Sequence, residues 1–135
     1  MPKDEYITWD FSMPGITFSQ KYGRITVFKK TMDLIGFPEY YRFIFNPDAG
    51  FFAIQACRID DEGAQRISDV WDGDAVEIKS MDLVRYIYRC ARWSPKHSYR
   101  IAGKVYHDER IVKFTLSKST VPSSSTAFKP STSRI

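Results

Sequence analysis

Cysteine and histidine are scarce in this chain. There are two of each in 135 residues, and neither pair is spaced as ligands. Cys57 and Cys90 stand in apolar surroundings with no Cys-x-x-Cys, and His97 and His107 have no cysteine or histidine at ligand distance in sequence. No zinc or other metal site is therefore expected. Sequence alone leaves open a Cys57–His97 or Cys90–His107 dyad, but the apolar contexts favour inert, buried thiols. A Gly-rich phosphate loop and a Gly-x-Ser-x-Gly elbow are missing too. The acids of Asp60-Asp61-Glu62-Gly63 and Asp72-Gly73-Asp74 lack the alternation and closing Glu of a calcium loop. No catalytic residue and no cofactor is implied. No apolar run approaches the roughly 20 residues that cross a bilayer. Met1-Pro2-Lys3-Asp4-Glu5 carries acids where a signal peptide would build its apolar core, so no export is expected. Two unspaced cysteines fit a reduced, cytoplasmic chain.

What the chain does have is apolar bulk and an uneven charge. Hydrophobic residues make up 43% and aromatics 16%, enough for the core of one domain. Residues 1–78 hold 8 basic and 13 acidic side chains, residues 79–117 hold 9 and 3, and residues 118–135 hold 3 and none. Such a chain can set a basic face against phosphates, pair its own halves, or pair two subunits as a homodimer.

The organising stretch runs from Gly23 to Cys57. Arg24-Ile25-Thr26-Val27 reads as a strand, as does Ile16-Thr17-Phe18-Ser19 before it. Residues 29–35 read as a short helix that Gly36 and Pro38 end. Residues 40–45 are a strand, Asn46-Pro47-Asp48-Ala49-Gly50 a turn, and residues 51–57 the returning strand. Residues 58–74 read as an acidic linker, with one helical turn around 64–68 and Trp71 over a core edge. Residues 76–79 open a second unit. Ser80 caps a helix over 81–92, whose apolar stripe is Leu83, Val84, Ile87, Cys90 and Ala91. Ser98 to Ile101 is a strand, Gly103 a kink, and residues 105–106 and 111–116 a hairpin about the turn 107–110. In the N-terminal arm, residues 6–11 alternate weakly, as an edge strand does. Residues 118–135 are rich in Ser, Thr and Pro and read as a disordered tail.

Thr31-Met32-Asp33-Leu34 matches Ser80-Met81-Asp82-Leu83. The expected fold is therefore α+β: one domain over 1–117 made of two βαββ units, 16–57 and 75–117, sharing a core about a pseudo-twofold axis. Chance matching in a short chain is the alternative.

Arg85, Arg89 and Arg92 fall on one helix face, where like charges repel by a few tenths of a kcal/mol. Lys96, His97, Arg100 and Lys104 extend the patch, and Tyr86, Tyr88 and Trp93 interleave as stacking partners for single-stranded nucleic acid. The plainer reading is a solvated face, or a dock for the acids of the linker. Gly23-Arg24-Ile25-Thr26-Val27, with Leu34-Ile35-Gly36 closing the short helix, resembles the AbrB/MazE swapped-hairpin family over residues 16–57. Two units in one chain resemble the tandem layout of MraZ proteins. The chain departs from the family pattern at Phe28, at Met32 and at Phe37-Pro38-Glu39-Tyr40. The resemblance implies a DNA-binding regulator with Lys21, Arg24, Lys29 and Lys30 near the nucleic acid. The other reading is a non-catalytic interaction module that binds an acidic partner or itself.

Overall fold

The computed structural model describes residues 14–69, 71, 72 and 75–121. The arm strand expected at 6–11, and the tail from 122 on, lie outside the described residues. The fold is α+β and mostly strand. In chain order come β1 (Gly15–Ser19), β2 (Arg24–Phe28), α1 (Lys29–Leu34), β3 (Tyr40–Asn46), β4 (Phe51–Cys57), β5 (Gln65–Arg66), β6 (Trp71–Asp72), β7 (Ala75–Lys79), α2 (Met81–Ala91), β8 (Ser98–Ala102), β9 (Lys104–Tyr106) and β10 (Ile111–Thr115). They form two five-stranded sheets, ordered β6-β7-β2-β1-β8 and β5-β3-β4-β10-β9. Every pairing is antiparallel.

Alternation in the sequence becomes the core. Ile16 faces Val27 and Phe18 faces Ile25 across β1 and β2, and all four are fully buried. In the second sheet Phe52 pairs with Phe114 and Ile54 with Val112, again fully buried. Phe18 and Phe52 meet edge to face across the layers, with ring centroids 5.4 Å apart. Each such side chain withdrawn from water contributes about 1.5–3 kcal/mol. One hydrophobic cluster thus holds both sheets.

Gly103 is where the chain changes sheets: β8 belongs to the first and β9 to the second, with this single residue between them. A Cβ there would overlap Cγ1 of Val112 and come 2.8 Å from Cε1 of Phe114. The N–H of Gly103 also donates to the carbonyl of Pro14 at 3.0 Å.

The acidic stretch departs from its expected form. No helical turn spans 64–68. Gln65 and Arg66 instead pair with Tyr41 and Tyr40 of β3, a 3-10 turn covers Ile67–Asp69, and Trp71 and Asp72 pair with β7. Buried Ile67, with its N–H on the carbonyl of Glu39 at 2.9 Å, holds the segment against the fold. The chain here must reach from the edge of one sheet to the edge of the other, and extended backbone covers about twice the distance per residue that a helix does.

The α2 helix begins where expected, with the N–H of Leu83 on Oγ of Ser80 at 3.4 Å, and ends one residue early, at Arg92 in a left-handed conformation. Of the expected stripe, Leu83, Val84, Ile87 and Ala91 are buried or pack against the core, and only Cys90 does not. Val84, Ile87 and Tyr88 are inside and Cys90 is exposed, because the large Tyr88 ring takes the interior position. Cys57 is half-buried, so neither thiol is a core residue. The two matched tetrapeptides sit differently on their helices: Ser80 is a cap, whereas Thr31 lies inside α1. Past β10, Thr120 bridges to Arg100 through two backbone hydrogen bonds of 2.8 Å.

Tyrosines aside, Thr31 is the single buried polar side chain among the described residues. Its Oγ1 accepts from the N–H of Gly15 at 2.8 Å and donates to the carbonyl of Gly15 at 3.0 Å, pinning the start of β1 to α1. Thr31→Val keeps the volume and strands both backbone groups. It should lower unfolding free energy by about 1–3 kcal/mol in urea titration, whereas Thr31→Ser should lose much less.

Candidate nucleic-acid interface

Tyr88 organises the charged end of the molecule. From the inward side of α2 its hydroxyl donates to the carbonyl of His97 at 2.6 Å and shares that proton with the carbonyl of Phe18 at 3.1 Å. Phe18 belongs to β1 and His97 to the loop between α2 and β8, so one phenol ties two separate segments together. Around it Trp93 stacks on Tyr99, with centroids 4.4 Å apart and planes 11° from parallel, and Trp93 also meets Phe18 at 5.5 Å. Tyr99 Oη accepts from the N–H of Ser94 at 3.0 Å, fixing the loop's first turn. Tyr88 and Trp93, expected as exposed stacking partners, are therefore framework. Burial is the first cause that pushes the Tyr88 phenol above its ordinary pKa.

On the other side, Gly23 lets the β1–β2 turn close onto α2. Its φ is +59°, and a Cβ would stand 3.0 Å from Cα of Met81. Its carbonyl accepts from the N–H of Ser80 at 2.8 Å. The glycine of the Gly23-Arg24 pair thus has a structural duty.

Between these two fixed walls lies a groove of about 400 Å³, lined by Ser19 to Tyr22, by Met81 and Arg85, and by Pro95 to Ser98. Three of the residues expected to contact nucleic acid, Lys21, Arg85 and Lys96, meet there, joined by His97. All four are exposed. Lys21, Arg85 and Lys96 make no ion pair among the described residues, and no carboxylate lines the groove. Asp60 and Asp61 are engaged locally instead, Asp60 with the Arg58 guanidinium at 3.6 Å and Asp61 with the Arg58 N–H at 2.7 Å.

The other expected contacts are dispersed. Arg24 lies at the groove's border, its guanidinium 5.2 Å from the centroid of Tyr22, whose ring also carries the Lys21 ammonium at 5.4 Å. Arg24 Nε is sealed from solvent and 3.9 Å from Oε1 of Glu77, too far for a hydrogen bond. Arg100 is half-buried on β8, opposite Thr17, and burial pulls its pKa down. Arg89 and Arg92 continue along α2, exposed, with Arg89 5.8 Å from the Tyr86 ring. Lys29 and Lys30 are exposed at the start of α1, at the far end of β2 from Arg24 and roughly 13 Å along the strand. The structure does not gather the nine into one patch.

Sequence reasoning left Ser19, Gln20, Tyr22 and Ser98 out of the site. The register Ser19 opposite Ser98 brings their two segments together, and no local signal encodes that pairing across nearly eighty residues. Among the described residues no three His, Cys, Asp or Glu side chains converge as a metal site, and no helix is long and apolar enough to cross a membrane. Searches of family models, curated proteins and solved structures find no match to this chain.

Tyr88→Phe should cost about 1–2 kcal/mol in thermal or urea unfolding. Because the folded-state pKa of Tyr88 is raised above about 10, the stability it contributes is complete below that value and is lost as pH rises through the folded pKa. The gap between wild type and Tyr88→Phe should therefore be constant below about pH 10 and narrow in unfolding curves taken above it.

Proposed function

We propose that this chain is a small nucleic-acid-binding regulator that holds the phosphate backbone in the groove between the β1–β2 turn and α2. One observation carries the reading: Lys21, Arg85 and Lys96 come from three separate segments, converge on one groove, and have no carboxylate paired to them among the described residues. Three cations held near one another on a rigid frame repel, and a polyanion relieves that repulsion while releasing its own counterions. Arg85 supplies a planar fork for a phosphate, the two lysines supply point charges, and the serines and Gln20 supply neutral hydrogen-bonding groups. The Gly23-Arg24 resemblance to AbrB-type regulators points to the same class of partner.

The two-unit reading of the chain belongs to this proposal. It is supported by the recurrence of strand, helix and hairpin, and by the pairing of corresponding strands, β2 with β7 and β4 with β10. A twofold-related pair of units would place corresponding strands antiparallel to each other in this way.

Fluorescence anisotropy with a labelled oligonucleotide, read at roughly 50 and 200 mM salt, tests the groove. The combined Lys21→Ala, Arg85→Ala, Lys96→Ala variant should bind at least tenfold more weakly at low salt. Its slope of log affinity against log salt should fall by about 2 to 3. Equal binding by that variant, or no binding by the wild type at low salt, would overturn the reading.

A further inference from the structure

The second sheet turns Phe52, Ile54, Val112 and Phe114 toward the core. Its opposite side mixes polar and apolar side chains, with Ala53 fully buried beneath half-exposed neighbours. The register places Lys113 between Ala53 and Lys104, and Ile111 between Gln55 and Tyr106, with Phe51 two residues along β4 from Ala53. The rings of Phe51 and Tyr106 are half-buried and share one cation: Nζ of Lys113 is 4.3 Å from the first centroid and 5.6 Å from the second. Nζ of Lys104 stands 5.5 Å from the Tyr106 ring. Neither lysine makes an ion pair among the described residues.

From this arrangement we infer that the outer face of the second sheet is a stacking platform for single-stranded nucleic acid. Two rings fixed on the strands that flank β10 offer flat surfaces to bases, and two flexible cations beside them reach the phosphates. A duplex keeps its bases stacked on each other and cannot use the rings, so charge complementarity and the accessible half of each ring together select an unpaired strand. The ammonium now over Phe51 and Tyr106 is the group that a base would displace. A cation–π contact that solvent still reaches is weak, and the lysine stem lets the charge swing to a phosphate without moving the backbone. In the free protein the same lysine keeps a charge at the middle of an apolar sheet face, which discourages sheet-to-sheet association. This inference shares its partner class with the groove reading but rests on different residues and a different sheet.

The test uses the full chain and a fluorescein-labelled oligothymidylate, with a hairpin duplex of equal charge as the second probe. Phe51→Leu and Tyr106→Leu keep apolar volume while removing a ring, and Lys113→Gln is a variant that leaves both rings in place. The platform predicts tighter binding of oligothymidylate than of duplex, and a loss of about tenfold for each ring variant in chains whose melting temperature is retained. It also predicts a smaller loss, growing at low salt, for Lys113→Gln. Single-strand binding unchanged in all three variants but abolished by the groove variant overturns the platform and keeps the groove. Single-strand binding lost in the ring variants but unchanged in the groove variant supports the platform and overturns the groove. No binding of either probe at low salt overturns both.

Discussion

One strand has to serve two sheets, and the rest of the architecture depends on how it crosses between them. The path from Ser98 to Tyr106 leaves the first sheet at Ala102 and enters the second at Lys104. The crossing leaves no room for a side chain, because Val112 and Phe114 of β10 press against Gly103. Core packing is dense and gives little, so a methyl group at this point would drive the sheets apart or push β10 out of register. The consequence reaches both surfaces at the ends of the path. Ser98, at one end of the path, borders the basic groove, and Lys104 and Tyr106, at the other end, border the aromatic face. The crossing fixes the spatial relation of two surfaces with different chemistry.

The groove is the product of packing rather than of charge. Arg85 and Arg89 stand four residues apart on α2 and oppose helix formation slightly. The helix is held regardless, by Val84, Ile87 and Tyr88 in the core and by the Ser80 cap, whose combined contribution exceeds the repulsion several-fold. Tyr88 then fixes the far wall through His97, and Gly23 lets the near wall approach Met81. Basic side chains are thereby kept near one another although no carboxylate among the described residues neutralises them. That is the arrangement expected where the neutralising charge arrives with a ligand.

Local chemistry made much of the fold readable. Ser80 with Asp82 marks a helix start, Asn46-Pro47-Asp48-Ala49-Gly50 marks a tight turn, and Phe51 to Cys57 emerges as a strand with the expected bounds. Gly103 read as a kink is a kink, though nothing local shows that the kink separates two sheets. The failures share one cause. Residues 64–68 have no strong preference, and the extended form of Gln65 and Arg66 is imposed by two sheet edges that must be joined. Tyr88 amid arginines looks like a surface residue, and only the carbonyls of Phe18 and His97 explain why it is inside. The groove unites residues 19–22 with 95–98 through strand pairing, so its cations are visible in the sequence one by one while their grouping is not.

The division of charge along the chain also changes meaning once the fold is known. The basic excess of residues 79–117 looks in sequence like one cationic side. In space it is divided among the groove, the outer end of α2 and the aromatic sheet face, while Arg24 and Arg100 are partly withdrawn from solvent. At physiological salt, exposed charges more than about 8 Å apart scarcely feel one another. A broad attractive field is therefore not what would select a partner. In the proposed reading, selection falls to short-range geometry: three cations sharing one groove, and two rings a lysine's reach apart.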